Sequence, residues 1–145
     1  MYKHILIDLD DTLWDFKANS RIAMTEIFSE YELNEELFDE DQKVTYRDIL
    51  KNCDIYATGT TGRLIEEVAN LSVHKYLAGH LGGEQQLCAQ IEHNQIDLVI
   101  FLRDPLTAQP HEPDVSALLR LCDGQNIPLA TNVHSAEIML EHIGK

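Results

Sequence analysis

Five apolar runs of strand length punctuate the chain, at residues 5–7, 55–57, 73–77, 96–102 and 127–130. They are too uniformly apolar to leave one face in water, so they predict strands buried on both faces. Between them the spacing turns helical, through Leu64, Ile65, Val68 and Ala69, then Leu87, Cys88 and Ile91, then Val115, Leu118, Leu119 and Cys122, then Ile138, Met139 and His142. An earlier set, Ile22, Ala23, Ile27 and Tyr31, has the same period. Strand and helix alternating in this way predict an α/β fold, a mainly parallel sheet of about five strands with helices on both faces. Residues 31–51 break the pattern, with acidic side chains crowding Leu33, Leu37 and Phe38, and read as an acidic, solvated helical connection.

With 145 residues and 44% hydrophobic content, the chain is large enough to bury a core as one α/β domain spanning 1–145. No apolar run nears the roughly 20 residues a bilayer span requires, and the opening residues lack a signal-peptide architecture, so a cytoplasmic protein is expected. Cys53, Cys88 and Cys122 are widely spaced in apolar surroundings and read as reduced, mostly buried thiols. The formal net charge of −14 opposes nucleic acid and anionic membranes as partners. An anionic ligand must therefore be held by local geometry against the global field.

One turn offers that geometry. The strand ending at Ala57 runs into Thr58-Gly59-Thr60-Thr61-Gly62 and then into a helix expected to begin near Arg63. Backbone N–H groups and hydroxyls at a helix N-terminus attract anions, and threonine donors do not depend on net charge. Gly59 and Gly62 are expected to give close approach and positive φ. The next crossing, Ala78-Gly79-His80-Leu81-Gly82-Gly83-Glu84-Gln85-Gln86, brings a carboxylate to a helix start, and the third carries Arg103-Asp104-Pro105 on to His111-Glu112-Pro113-Asp114. In a parallel sheet these turns share the carboxyl ends of the strands, where open α/β folds bind ligands. A small phosphorylated metabolite or inorganic phosphate is the expected ligand. Taken singly, Glu84 also suits a helix cap and His111 a loop-fixing role.

The strings Tyr56-Ala57-Thr58-Gly59-Thr60-Thr61-Gly62, Gly82-Gly83-Glu84-Gln85-Gln86, Asp104-Pro105-Leu106-Thr107-Ala108-Gln109-Pro110-His111-Glu112-Pro113-Asp114 and Ile127-Pro128-Leu129-Ala130-Thr131-Asn132 resemble methylglyoxal synthase over about residues 54–143. The resemblance implies a three-layer Rossmann-like fold, a homo-oligomer that in the family is usually a hexamer, and metal-free conversion of dihydroxyacetone phosphate to methylglyoxal and phosphate. It casts Glu84 as the base, His111 as the electrophile facing the enediolate, and Thr58, Gly59, Thr60, Thr61 and Gly79 as the phosphate cradle. Asp114 matches an acid near the imidazole, and Asp104 a further site carboxylate. Two positions depart from the family: Glu84 stands where it has aspartate, and Ala78 where it usually has serine.

The N-terminal end resembles something else. Over about residues 1–31, an apolar strand followed by Asp8-x-Asp10-x-Thr12-Leu13 is similar to the first motif of haloacid dehalogenase-type phosphatases. That resemblance implies Asp8 as nucleophile, Asp10 as acid and base, and Mg²⁺ held by both. Aligned through Lys3-His4, the synthase's His-Asp pair falls on Asp10-Asp11 and its phosphate-binding lysine on Trp14, which adds negative charge beside the cradle. A chimera follows as a hypothesis, with a phosphatase-like strand and helices in 1–50 joined to a synthase-like part in 54–143. Three functions stay open here: a synthase-type lyase without cofactor, an inert scaffold that binds phosphate ligands, and a Mg²⁺-dependent phosphatase.

Overall fold

The computed structural model describes residues 2–9, 46–77, 81–102 and 115–145. Their order is β1 (His4–Leu9), α1 (Tyr46–Leu50), β2 (Asp54–Ala57), α2 (Gly59–Ala69), β3 (Val73–Lys75), α3 (Gly83–Glu92), β4 (Leu98–Leu102), α4 (Val115–Gln125), β5 (Leu129–Ala130) and α5 (Val133–Gly144). The predicted helix through Ile22 and Ile27, and most of the acidic connection, lie outside the described residues.

The strands form one sheet in the order β3-β2-β1-β4-β5, with every neighbouring pair parallel. Strand alternation divides the core in two. Ile5 and Ile7 of β1 with Leu98, Ile100 and Leu102 of β4 pack under α1, α2 and α5, alongside Leu50, Ile65, Ala136 and Leu140. Leu6, Val99 and Phe101 point the other way, onto Leu87 and Ile91 of α3 and Leu118 and Cys122 of α4. All five residues of β4 are buried, which explains why its sequence shows no polar alternation.

Three strands are shorter than their apolar runs. Ile96 and Ile127 are buried yet precede β4 and β5, because they fill the core below the sheet without joining its ladder. β3 ends at Lys75, although the Tyr76 amide still donates to the Ala57 carbonyl at 2.8 Å. Two residues with core-facing spacing, Leu119 and Ile138, are exposed instead. The α2 and α5 stripes complete their packing through Ile65, Ala69, Ala136 and Leu140, so Ile138 lies off the covered face.

Cys122 is buried and Cys53 and Cys88 are half-buried, all as free thiols. Burial pushes Cys122 up to about 11, with Asp123 adding to the effect. Burial likewise raises Cys88, helped by Glu84 and Glu92, and Cys53, helped by Asp54 and Asp97. Thiols held above their ordinary range are poor nucleophiles at neutral pH.

Candidate active site

The sheet order reverses direction at β1: the chain runs outward to β2 and β3, then crosses back to β4 on the other side. The carboxyl ends of β1 and β4 therefore flank the switch point where open α/β sheets leave a crevice. The turn after β2 borders it, since Leu6 pairs with Tyr56 and two further residues bring Asp8 level with Thr58.

Helix α2 begins at Gly59 with Thr58 as its N-cap, four residues before the expected start at Arg63. Thr60 and Thr61 thus lie in the first helical turn, where amides and macrodipole favour an anion. Of the two roles expected of Gly59 and Gly62, close approach is found at Gly62 and positive φ at neither. Both are helical, and the positive-φ glycine among the described residues is Gly82, the N-cap of α3 at φ 102°. Gly62 is required for closeness, because a Cβ there would stand 2.5 Å from Lys75 Cγ and 3.3 Å from Val73 Cγ1. It lets α2 lie directly on β3.

Two of the three threonine hydroxyls turn inward. Thr58 Oγ1 donates to Asp8 Oδ1 at 2.9 Å, Thr61 Oγ1 donates to the same oxygen at 3.2 Å, and the two hydroxyl oxygens lie 3.3 Å apart. All three side chains are buried, with Asp8 5% exposed. Thr60 faces solvent. Sequence reasoning read Asp8 as a phosphatase nucleophile and missed its place as acceptor for the cradle. The signal was there in principle, since parallel neighbouring strands put the last residues of β1 beside the turn that follows β2.

Glu84 is the second residue of α3, in its first turn and half-buried, a favourable place for negative charge. The cradle and this helix are latched through Leu77. Its carbonyl accepts from the Gly59 amide at 3.4 Å, and its own amide donates to Gln86 Oε1 at 2.9 Å. Tyr76 O–H donates to Gln90 Oε1 one turn further along α3. Two turns far apart in sequence are thereby held on one rim. At β5 the same rim continues into Asn132, whose side chain caps α5 by accepting from the Ser135 amide at 3.0 Å.

Gly79, Asp104, His111, Asp114 and Asp10 lie outside the described residues. Of the pair Asp8 and Asp10 that a phosphatase would use to hold Mg²⁺, Asp8 lies among the described residues and Asp10 does not. Mg²⁺ needs near-octahedral oxygen ligands, whereas Asp8 Oδ1 already accepts from two hydroxyls. Among the described residues no group of three or more His, Cys, Asp or Glu could hold a metal. With that oxygen so engaged, the described residues do not fit the ion.

An open parallel sheet with an anion-receptive βα turn beside its switch point defines an α/β ligand-binding protein. Within that class the chain belongs to the MGS-like domain family, which matches residues 45–131. It is 65% identical over 95 residues to a methylglyoxal synthase of Bacillus subtilis, covering 66% of this chain and 69% of that one. It is 61% identical over 102 residues to a methylglyoxal synthase of Caldicellulosiruptor saccharolyticus, covering 70% of this chain and 72% of the relative. The solved structure of methylglyoxal synthase from Elizabethkingia anophelis superimposes with a TM-score of 0.72 at 34% identity, covering 96% of this chain and 77% of that one. Among the described residues no helix is long and apolar enough to cross a membrane.

Proposed function

We propose that the chain is a methylglyoxal synthase-type lyase that converts dihydroxyacetone phosphate to methylglyoxal and inorganic phosphate without a metal. The observation that carries this reading is the Leu77 latch, which holds the threonine turn and the helix bearing Glu84 on one rim. Sequence identity of 57–65% to methylglyoxal synthases supports it.

In this reading the phosphate sits at the opening of α2, held by Thr58, Gly59, Thr60, Thr61 and Gly79. Glu84 removes a proton from the carbon next to the carbonyl, and the electron pair moves onto oxygen as an enediolate. His111 donates to that oxygen, with Asp114 orienting the imidazole and Asp104 lining the site. The proton comes from the hydroxymethyl carbon; as the hydroxyl on that carbon passes its proton to the departing phosphate and becomes the aldehyde, the double bond shifts, the carbon–oxygen bond to phosphate breaks, and the enol left behind tautomerises to methylglyoxal. The extra methylene of Glu84 shifts the carboxylate by about 1 Å relative to an aspartate, enough to cost on the order of a hundredfold.

The N-terminal part of the proposal is a chimeric origin. The family match begins at residue 45, and Asp8 of β1 together with the following Asp10 in the sequence resembles a phosphatase motif. β1 nonetheless pairs with β2 and β4 at the centre of the sheet, as a single composite domain requires. A homo-oligomer in the cytoplasm belongs to the same proposal, and sedimentation of the purified chain tests the assembly.

Proton NMR of the protein with dihydroxyacetone phosphate, with and without Mg²⁺, tests the activity. The expected result is methylglyoxal above background that is unaffected by EDTA and falls by about 10²–10⁴ in Glu84→Gln, the range for loss of a general base. His111→Ala is expected to abolish product, and Glu84→Asp to raise it. Dihydroxyacetone formed only with Mg²⁺ would replace this reading with the phosphatase, and unchanged substrate would leave a phosphate-binding scaffold.

A further inference from the structure

The turn at 58–62 has the shape of a phosphate cradle, yet its buried donors are already engaged. A threonine hydroxyl carries one proton, and those of Thr58 and Thr61 both end on Asp8 Oδ1. Toward any further group these two oxygens present lone pairs. Burial of all three side chains keeps bulk water from taking over the Asp8 end of either bond. The contact is built into the sheet, because the β1–β2 register sets Asp8 level with Thr58 and Thr58 caps the helix carrying Thr61.

We propose that Asp8 is an internal competitor for this cradle, a specificity-determining carboxylate that weakens the hold of the turn on dianionic phosphate. The inference rests on the proposed function only in taking the turn at 58–62 as the phosphate site. Two effects act in the same direction. A phosphate oxygen must win the hydroxyl protons from a carboxylate rather than from water, and it must approach a like charge in a site of reduced dielectric. Unit charges about 5 Å apart at an effective dielectric near 20 repel strongly enough to change affinity by between about tenfold and a few hundredfold. The turn as it stands therefore holds the doubly charged phosphate group more weakly than the helix N-terminus and free hydroxyls would alone.

The experiment is calorimetric titration of inorganic phosphate into the full chain and into Asp8→Asn and Asp8→Val. The first removes the charge and keeps an acceptor of the same shape; the second removes the acceptor and releases both hydroxyls. Both are expected to bind phosphate at least about tenfold more tightly than the parent, with the gain lost when Thr58→Val is added. Equal or weaker binding in the variants, or a gain that survives Thr58→Val, overturns the assignment. Should one substitution cost the fold, the other decides. Methylglyoxal formation measured on the same samples separates the two claims. Tighter phosphate binding without product in any sample removes the lyase and keeps Asp8 as competitor. Product in the parent with unchanged phosphate affinity in the variants does the reverse.

Discussion

At each end of the sheet an aspartate gathers donors from a neighbouring segment, in different surroundings. Below the amino ends, Asp97 Oδ2 accepts from the Lys3 amide at 2.9 Å, the His4 amide at 2.8 Å and His4 Nδ1 at 3.2 Å, with its side chain 37% exposed. His4 Nε2 reaches on to Asp54 at 3.6 Å. At the carboxyl ends, Asp8 accepts from Thr58 and Thr61 in a setting closed to water. Solvent can replace what Asp97 loses, so its bonds align strand starts at small net worth. Bulk water cannot replace what Asp8 loses, because its side chain is buried, so losing a hydroxyl donor there carries a desolvation cost. The same residue type is thus a dispensable clamp at one end and a committed structural element at the other, where ligands bind.

The comparison can be broken by substitution. The largest effect is expected for Thr58→Val, which keeps the shape and strips one donor from buried Asp8. It should lower stability by about 1–3 kcal/mol in chemical denaturation, and Thr61→Val should follow it. A loss indistinguishable from zero would mean that Asp8 does not need these hydroxyls.

A somewhat smaller loss, about 1 kcal/mol or more from overpacking, is expected for Gly62→Ala. The new methyl must displace Lys75 Cγ, part of a stem whose ammonium is tied to Glu66 at 2.6 Å. If thermal melting is unchanged, α2 can withdraw from β3 without harm to the cradle.

The smallest effect is expected for Asp97→Asn, and it carries a pH signature. Burial works to raise the Asp97 carboxyl, but the His4 and Lys3 amides and the His4 ring outweigh it and hold the group below its ordinary 3.8. A group depressed in the folded state adds stability above its unfolded pKa and loses it as pH falls through the folded value. The gap between parent and variant should therefore be constant near neutrality and close below about pH 4. A gap that widens on acidification would reverse the sign of the Asp97 contribution.

The apolar runs were enough to locate all five strands, because residues buried on both faces leave the same mark in the chain as in the sheet. They overran at Ile96, Ile127 and Tyr76, since hydrophobicity records burial and cannot record where ladder pairing stops, and at Leu77, whose side chain is exposed. The phosphate turn was legible for a related reason: Thr58, Gly59 and Gly62 sit between an apolar strand and a periodic helix. The helix start was not, because a capping residue whose side chain makes no cap hydrogen bond leaves Thr58 looking like part of a loop. The carboxylate inside the cradle was the hardest to read. Asp8 and Thr58 meet only through the pairing of β1 with β2, and no local pattern in either segment states that register.

That pairing also shapes how the chain must fold. Among the described strands β1 is the earliest in the chain and the central one in the sheet, with one edge paired at Asp54 and the other at Leu98. Both ladders join segments distant in sequence, the kind of contact that slows folding. During synthesis the run His4-Ile5-Leu6-Ile7 leaves the ribosome before either of these partner strands, and β4 follows only after β2, α2, β3 and α3 have been made. An apolar strand with two open edges is the segment most exposed to pairing with another copy. Yield of soluble protein should therefore depend on chaperones and growth temperature more steeply than the stability of the finished sheet would suggest.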